Sequence, residues 1–269
     1  MDIREKILKR RLMAVAIVSA RDEQETIGAV VVELQKLPLT EIVVVANGCH
    51  DHTAAVARRH GARVLEFDQP LGHDVGRAVG AAQVLADIYL FTDGDVVLRA
   101  VELLPFLAAV ADGVDVALND LNPFASDRSK QHVVNVAKIF FNYAIGLPEL
   151  GINSLTAIPH ALSRRALETI GCDNLMVPPK ALFLAKQAGL MVKAVASVNV
   201  ISRNRWRPEV HQNPFGPLDA LILGDHLEAL AELIRSIGPR GAFPDYDRQR
   251  AIFHPASMDL REKTTEERR

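Results

Sequence analysis

Cysteine is almost missing from this chain: Cys49 and Cys172 are the only two in 269 residues, and they stand far apart. That excludes a disulfide scaffold and predicts a reducing compartment, with the cytoplasm as the default location. Cys49, His50 and His52 are metal ligands by type, but no second cluster at zinc spacing accompanies them. Neither sign of charge is in excess: 31 basic residues face 33 acidic ones, for a net charge of −2. No global field therefore draws the chain to nucleic acid or to an anionic surface. No apolar run reaches the roughly 18 residues of a membrane-spanning helix, and the polar start (Asp2, Arg4, Glu5, Lys6) predicts no signal peptide. Internal repeats and low-complexity linkers are absent too. With 49% hydrophobic and 24% charged residues, the chain reads as one large globular domain with a substantial core.

Against that background one stretch carries chemistry. Tyr89-Leu90-Phe91-Thr92-Asp93-Gly94-Asp95-Val96-Val97-Leu98 is an apolar run broken by two carboxylates around a glycine. It reads as a buried strand presenting Asp93 and Asp95 at its C-terminal end, with Gly94 letting the backbone approach a ligand. Two acids on so short a tether suit a cation or a hydroxyl-rich ligand held between them. Asp-Gly-Asp is also an ordinary turn, so its meaning rests on the surrounding chain.

Ala14–Ala20, Ile42–Ala46 and Arg63–Phe67 read as strands, each followed by a helical pattern; Val75–Ala86 is a helix of small residues. Strand and helix alternate four times in about eighty residues, which predicts right-handed crossovers over a mainly parallel sheet. In such sheets ligands sit beyond the carboxyl ends of the strands. Ser19–Glu23, Asn47–Asp51 and Asp93–Asp95 all fall there, and three acid-bearing turns at one edge make one site. Asp51 is also well placed to cap the helix that begins near Thr53.

These residues carry a resemblance. Val18-Ser19-Ala20-Arg21-Asp22-Glu23-Gln24-Glu25-Thr26-Ile27 resembles the opening motif of family 2 glycosyltransferases. Asn47-Gly48-Cys49-His50-Asp51-His52-Thr53 is similar to their Asp-Gly-Ser-Thr-Asp-Gly-Thr turn, and Leu71–Ala78 parallels their Gly-Lys-Gly segment. Asp93-Gly94-Asp95 falls where that family keeps its Asp-X-Asp. Four motifs in order, over roughly residues 14–100, make the match specific. The resemblance implies a GT-A fold: a Rossmann-like α/β domain with a mainly parallel sheet. It puts Glu23 and Asp51 near the uracil and ribose of a donor, with Ala20 and Arg21 lining the base pocket. Asn47, Gly72, Arg77 and Gly94 join that donor wall. Asp93 would approach ribose or sugar, and Asp95 would hold Mg²⁺ or Mn²⁺ bridging the diphosphate. Ala46 and His73 depart from the pattern, where many members have an acid and a lysine.

In the second half, Val101–Ala111 and Gln131–Ile145 read as helices, Val114–Leu118 and Val192–Ile201 as strands. The resemblance makes this the acceptor side, with His160 either an acceptor-site residue or a hydrogen-bonded structural histidine. An inverting member places an acidic pair at a helix start as general base. Asn174–Leu182 is the corresponding stretch here and holds no acid; Pro179 and Lys180 open the helix. Three readings stay open: Asp120 or Asp173 substitutes, the enzyme retains configuration without a separate base, or the protein binds a donor without catalysis. Arg203, Arg205 and Arg207 alternate along the stretch after the last strand, suited to a diphosphate or to an anionic acceptor. His211 is the candidate second metal ligand, with His226 behind it. Trp206 is a stacking residue or a packing anchor.

The expected organisation is an N-terminal helix over 1–12, a domain over 13–215 (donor half 13–100, acceptor half 101–215), and a helical extension with a charged tail over 216–269. The amphipathic pattern of Leu218–Ile237 serves a covering helix or a homodimer equally well. The expected activity is metal-dependent transfer of a hexose from a nucleotide diphosphate sugar, with UDP as the expected nucleotide, to a hydroxyl acceptor. The alternatives are a non-catalytic nucleotide-sugar-binding protein and, with less support, a sugar nucleotidyltransferase. The latter needs a basic glycine-rich loop after the first strand, where Ser19–Glu23 is acidic. Membrane contact is at most peripheral, through the basic N-terminal helix.

Overall fold

A computed structural model describes residues 3–125, 132–200, 202–203 and 216–250. Arg205, Trp206, Arg207 and His211, and the charged tail after 250, lie outside the described residues. The first half alternates strand and helix: α1 Ile3–Arg10, β1 Ala14–Ala20, α2 Ile27–Gln35, β2 Glu41–Asn47, α3 Thr53–Arg59, β3 Arg63–Phe67, α4 Val75–Ala82 and β4 Ile88–Asp93. The second half continues with α5 Ala100–Ala111, β5 Val116–Asn119, α6 Val133–Ala144, β6 His160–Ser163, α7 Arg164–Ile170, α8 Pro178–Gln187, β7 Val192–Ala196 and α9 Pro217–Ile237.

Among the described residues, seven strands form one sheet in the order β3-β2-β1-β4-β6-β5-β7. β1 pairs in parallel with β2 and β4, β2 with β3, and β5 with β7. β6 alone runs antiparallel, wedged between β4 and β5. The alternating first half is therefore parallel, as its pattern predicts, while β6 is an antiparallel strand that the sequence reading did not identify. β7 also stops at Ala196, short of the expected Ile201, and α4 ends at Ala82 rather than Ala86.

The central strands are buried on both faces, which is why they read as unbroken apolar runs. In β1, Ala14, Ala16 and Val18 face a layer built on α2 and α5. Val15 and Ile17 face the opposite layer of α4, α6, α7, α8 and α9. Close packing of α4 depends on its small residues: a Cβ at Gly80 would lie 2.5 Å from Ile17 Cγ2. The sheet is continuous from donor half to acceptor half through the β4–β6 pairing. α1 docks on α5 by burying Ile3 and Ile7, by a Lys6–Asp112 ion pair, and by a bond from Arg10 Nη1 to the Ala111 carbonyl (2.8 Å). α9 covers α6 and α8 with Ile222, His226, Ala229 and Leu233. Among the described residues, no helix is long and apolar enough to cross a membrane.

Candidate active site

The carboxyl ends of β1, β2 and β4 open into a cleft of about 290 Å³ lined by Ser19, Ala20, Arg21, Glu23, Asn47, Gly72, His73, Asp74, Gly76, Arg77, Asp93 and Asp95. All of the donor residues expected from the first half lie here except Asp51 and Gly94, which lie beside it. A neighbouring recess is formed by Asp22–Thr26, Asp51 and Asp95.

Two turns are laced into a rigid wall. Asp22 accepts a bond from the His50 amide (2.7 Å), and Thr53 Oγ1 accepts one from the Glu23 amide (2.7 Å). Asp51 accepts from the Thr53 and Gln24 amides at 2.8 and 3.0 Å. The N-cap of α3 is His52, so Asp51 bonds the first helical amide from one residue outside the cap, and it also ties the two turns together. Burial opposes its ionisation, but the bonds from Thr53 and Gln24 outweigh that and hold its pKa below the usual range. Asp22, Cys49 and Asp51 lie close enough together to share an ion. The backbone bonds to both carboxylates account for that cluster without one.

Gly94 is placed by packing. Its amide donates to the Ser19 carbonyl (2.8 Å), its carbonyl accepts from Thr26 Oγ1 (2.6 Å), and a Cβ there would lie 2.7 Å from Ala20 Cβ. The close approach seen here is to Ala20 on β1, a packing need that the sequence reading of this glycine did not include. Pinned on both sides, the loop presents Asp93 and Asp95, each half-buried, into the cleft. Asn47 clamps the opposite lip, accepting from the Leu71 amide (2.5 Å) and donating to the Gly72 carbonyl (2.9 Å).

Behind the cleft lies a buried charge chain that the sequence did not reveal. Asp74 takes up a left-handed backbone (φ 60°) with a buried carboxylate, one oxygen 2.7 Å from Arg77 Nη1 and the other 2.9 Å from His73 Nδ1. Arg77 then reaches toward Asp93 at 3.5 Å. Burial disfavours both charges, but Arg77 and His73 keep Asp74 ionised, and Asp74 with Asp93 keeps Arg77 protonated. His73 is raised by its bond to Asp74. Lys138 on α6 is buried near this chain, and burial lowers its pKa to about 8.

The expected catalytic and clamp residues fall in varied places. Asp120 Oδ1 accepts from the Asn122 amide (3.2 Å), Asn122 Nδ2 (3.0 Å) and Asn153 Nδ2 (3.0 Å), so its role visible here is to fix the loop after β5. Asp173 is exposed, in the short helical turn Cys172–Met176, and is not among the residues lining the cleft. His160 is 2% exposed, stacked on Phe91, and bonded through Nδ1 to the Ala157 carbonyl (2.9 Å). Burial and then Arg77 drive its pKa down to about 3, so it is neutral. Arg203 forms a two-pronged pair with Glu102 on α5 (2.8 and 3.1 Å). His226 is buried edge-on to Phe141 and bonded through Nδ1 to the Ile222 carbonyl (2.7 Å), and it belongs to no cluster of metal-ligating groups among the described residues.

A cation fits the donor set. Asp93 and Asp95 present hard oxygen ligands to the cleft, the chemistry that Mg²⁺ and Mn²⁺ prefer, while the cluster of three ligating groups found among the described residues is Asp22, Cys49 and Asp51.

Three comparisons bear on this geometry. The sequence model described as "Glycosyl transferase family 2" matches residues 15–170, more than half of the chain. A dolichyl-phosphate hexose transferase of Haloferax volcanii is 33% identical over 108 residues, covering 39% of this chain and 46% of that protein. The match thus spans less than half of that relative's length. Among solved structures, mannosyl-3-phosphoglycerate synthase from Rubrobacter xylanophilus superposes with a TM-score of 0.63 at 16% identity, over 94% of this chain and 83% of that one. Glucosyl-3-phosphoglycerate synthase from Mycobacterium tuberculosis, in complex with Mn²⁺, UDP and glucosyl-3-phosphoglycerate, gives 0.62 at 19% identity, over 91% and 86%. At such identities the likeness concerns the fold.

Proposed function

The chain belongs to glycosyl transferase family 2, and from that premise we propose that it transfers a hexose from a nucleotide diphosphate sugar, UDP being the favoured nucleotide, to a hydroxyl acceptor. The observation that carries this reading is the convergence of Glu23, Asn47, Asp93 and Asp95 on one cleft at the carboxyl edge of the sheet. Asp95, with Asp93 beside it, would hold a divalent cation. When bound, that ion supplies charge neutralisation of the departing diphosphate. The residues do the rest. The laced turns of Ser19–Gln24 and Asn47–Thr53 form a preorganised seat for base and ribose. Asn47 fixes the Leu71–Gly72 lip, and Arg77 holds Asp93 in place from below.

The mycobacterial structural neighbour holds UDP and Mn²⁺ with glucosyl-3-phosphoglycerate, and the Haloferax volcanii relative is named a dolichyl-phosphate hexose transferase. Both names carry an anionic acceptor, and an acceptor bearing a phosphate is the favoured class. The test is release of UDP from UDP-glucose with Mn²⁺, with and without 3-phosphoglycerate, and of GDP from GDP-mannose. We expect turnover that Asp95→Ala lowers at least a hundredfold while Tm stays within about 2 °C. Undiminished turnover in Asp95→Ala would remove the metal assignment. Nucleotide binding with no turnover on any donor would favour a binding protein.

A further inference from the structure

The α8 helix starts Val177-Pro178-Pro179-Lys180 and offers no carboxylate to an acceptor. What lies across that helix start is α9. Lys180 Nζ is 3.3 Å from Glu228 Oε1, which pins α9 over the first turn of α8. Asp225 precedes Glu228 by three residues and so shares its helix face. The charges acting on Asp225 are Asp74, His73 and Glu228, and two of these, His73 and Asp74, form the α4 wall of the cleft. Asp225 therefore lies on the helix that crosses the α8 start, within electrostatic reach of the His73–Asp74 wall of the cleft. It is half-buried, and among the described residues its carboxylate has neither a hydrogen bond nor an ion pair. Of the other acids considered for this task, Asp120 holds three hydrogen bonds, and Asp173 is exposed in the Cys172–Met176 turn.

We propose that Asp225, carried by the C-terminal helix, is the general base that accepts the proton of the acceptor hydroxyl. The proposal rests on the transferase reading above. In the step, the acceptor O–H proton passes to an Asp225 carboxylate oxygen while the acceptor oxygen bonds to the anomeric carbon. The bond from that carbon to the phosphate oxygen breaks, and its electron pair leaves on the nucleoside diphosphate. Attack from the face opposite the leaving group inverts the anomeric configuration. The surroundings suit a base. Burial, and then the like charge of Asp74, raise the Asp225 pKa to about 6, near the working pH that favours proton transfer. The other charged or titratable groups facing this corner are His73 and Asp74 before α4, Lys138 on α6, Lys180 on α8, and His226 and Glu228 on α9.

Asp225→Asn and Asp225→Glu test the assignment on the full chain with UDP-glucose or GDP-mannose and Mn²⁺. For Asp225→Asn we expect kcat to fall about 10²–10⁴-fold with UDP affinity within threefold of the parent. The acid limb of the pH–rate profile near pH 6 should disappear, and Asp225→Glu should recover part of the rate. The variant should also fold: a raised carboxyl pKa means the charge is disfavoured in the native state, so Tm at pH 7 should be equal or higher. Parent-like kcat in Asp225→Asn, or a product that retains the donor's configuration, overturns the base alone. If the parent protein binds UDP yet turns over no donor, the transferase reading falls and the base falls with it.

Discussion

An added Cβ at Gly94 would lie 2.7 Å from Ala20 Cβ and 3.4 Å from Ile27 Cδ1. The two aspartates are held because the chain between them is pressed against β1 and bonded to Ser19 and Thr26. Gly94→Ala should therefore overpack this corner at a cost of about 1–3 kcal/mol, seen as a Tm several degrees lower, together with weaker binding of UDP and Mn²⁺. An unchanged Tm would mean that β1 yields and that the loop is not pinned. This packing is a feature the sequence alone did not show. The Asp-Gly-Asp pattern locates the site, but a glycine needed for its neighbour's side chain looks the same in sequence as one that admits a ligand. Asp74, Lys138 and Asp225 were missed for a related reason. Each is a lone charge at a helix start or within an amphipathic helix, where solvent exposure is the ordinary reading, and only the tertiary approach of α4, α6 and α9 brings them together. No local spacing signals it.

At the scale of elements, what was legible is what repeats locally. β1, β2 and β4 are apolar on both faces, so their runs and their polar ends stand out, and with them the donor edge. β6 is four residues long, His160–Ser163, and pairs on both sides with strands distant in sequence. Nothing in its own composition marks it. The segment after β7 is tied back to the first turn of α5 through Arg203 and Glu102. The bond from Arg203 holds the Glu102 pKa down to about 2, against an ordinary 4.5. A depressed carboxyl pKa adds stability that is complete above about pH 4.5 and is lost as pH falls through that window toward 2. Glu102→Gln should thus lower stability by about 1 kcal/mol at pH 7, a modest figure because the pair is partly hydrated. The difference from the parent should vanish near pH 2 in matched thermal melts. A deficit independent of pH would show that packing, not charge, ties the segment down.

Across the whole molecule, one sheet carries both halves of the task. Its parallel strands deliver Ser19–Glu23, Asn47–Asp51 and Asp93–Asp95 to one edge, and its far side is roofed by α8 and α9. The helical extension is thereby part of the domain: α9 buries Ala229 and Leu233 in the second core and carries Asp225 within electrostatic reach of His73 and Asp74. The central claim is that this edge seats a nucleoside diphosphate through a cation held at Asp95. A crystal soaked with UDP and Mn²⁺ tests it most directly. The account predicts the ion within about 2.0–2.6 Å of an Asp95 carboxylate oxygen, bridging the diphosphate, with the uridine seated between the Ser19–Glu23 and Asn47–Asp51 turns. An ion lodged instead among Asp22, Cys49 and Asp51, or a nucleotide bound away from this cleft, would contradict it.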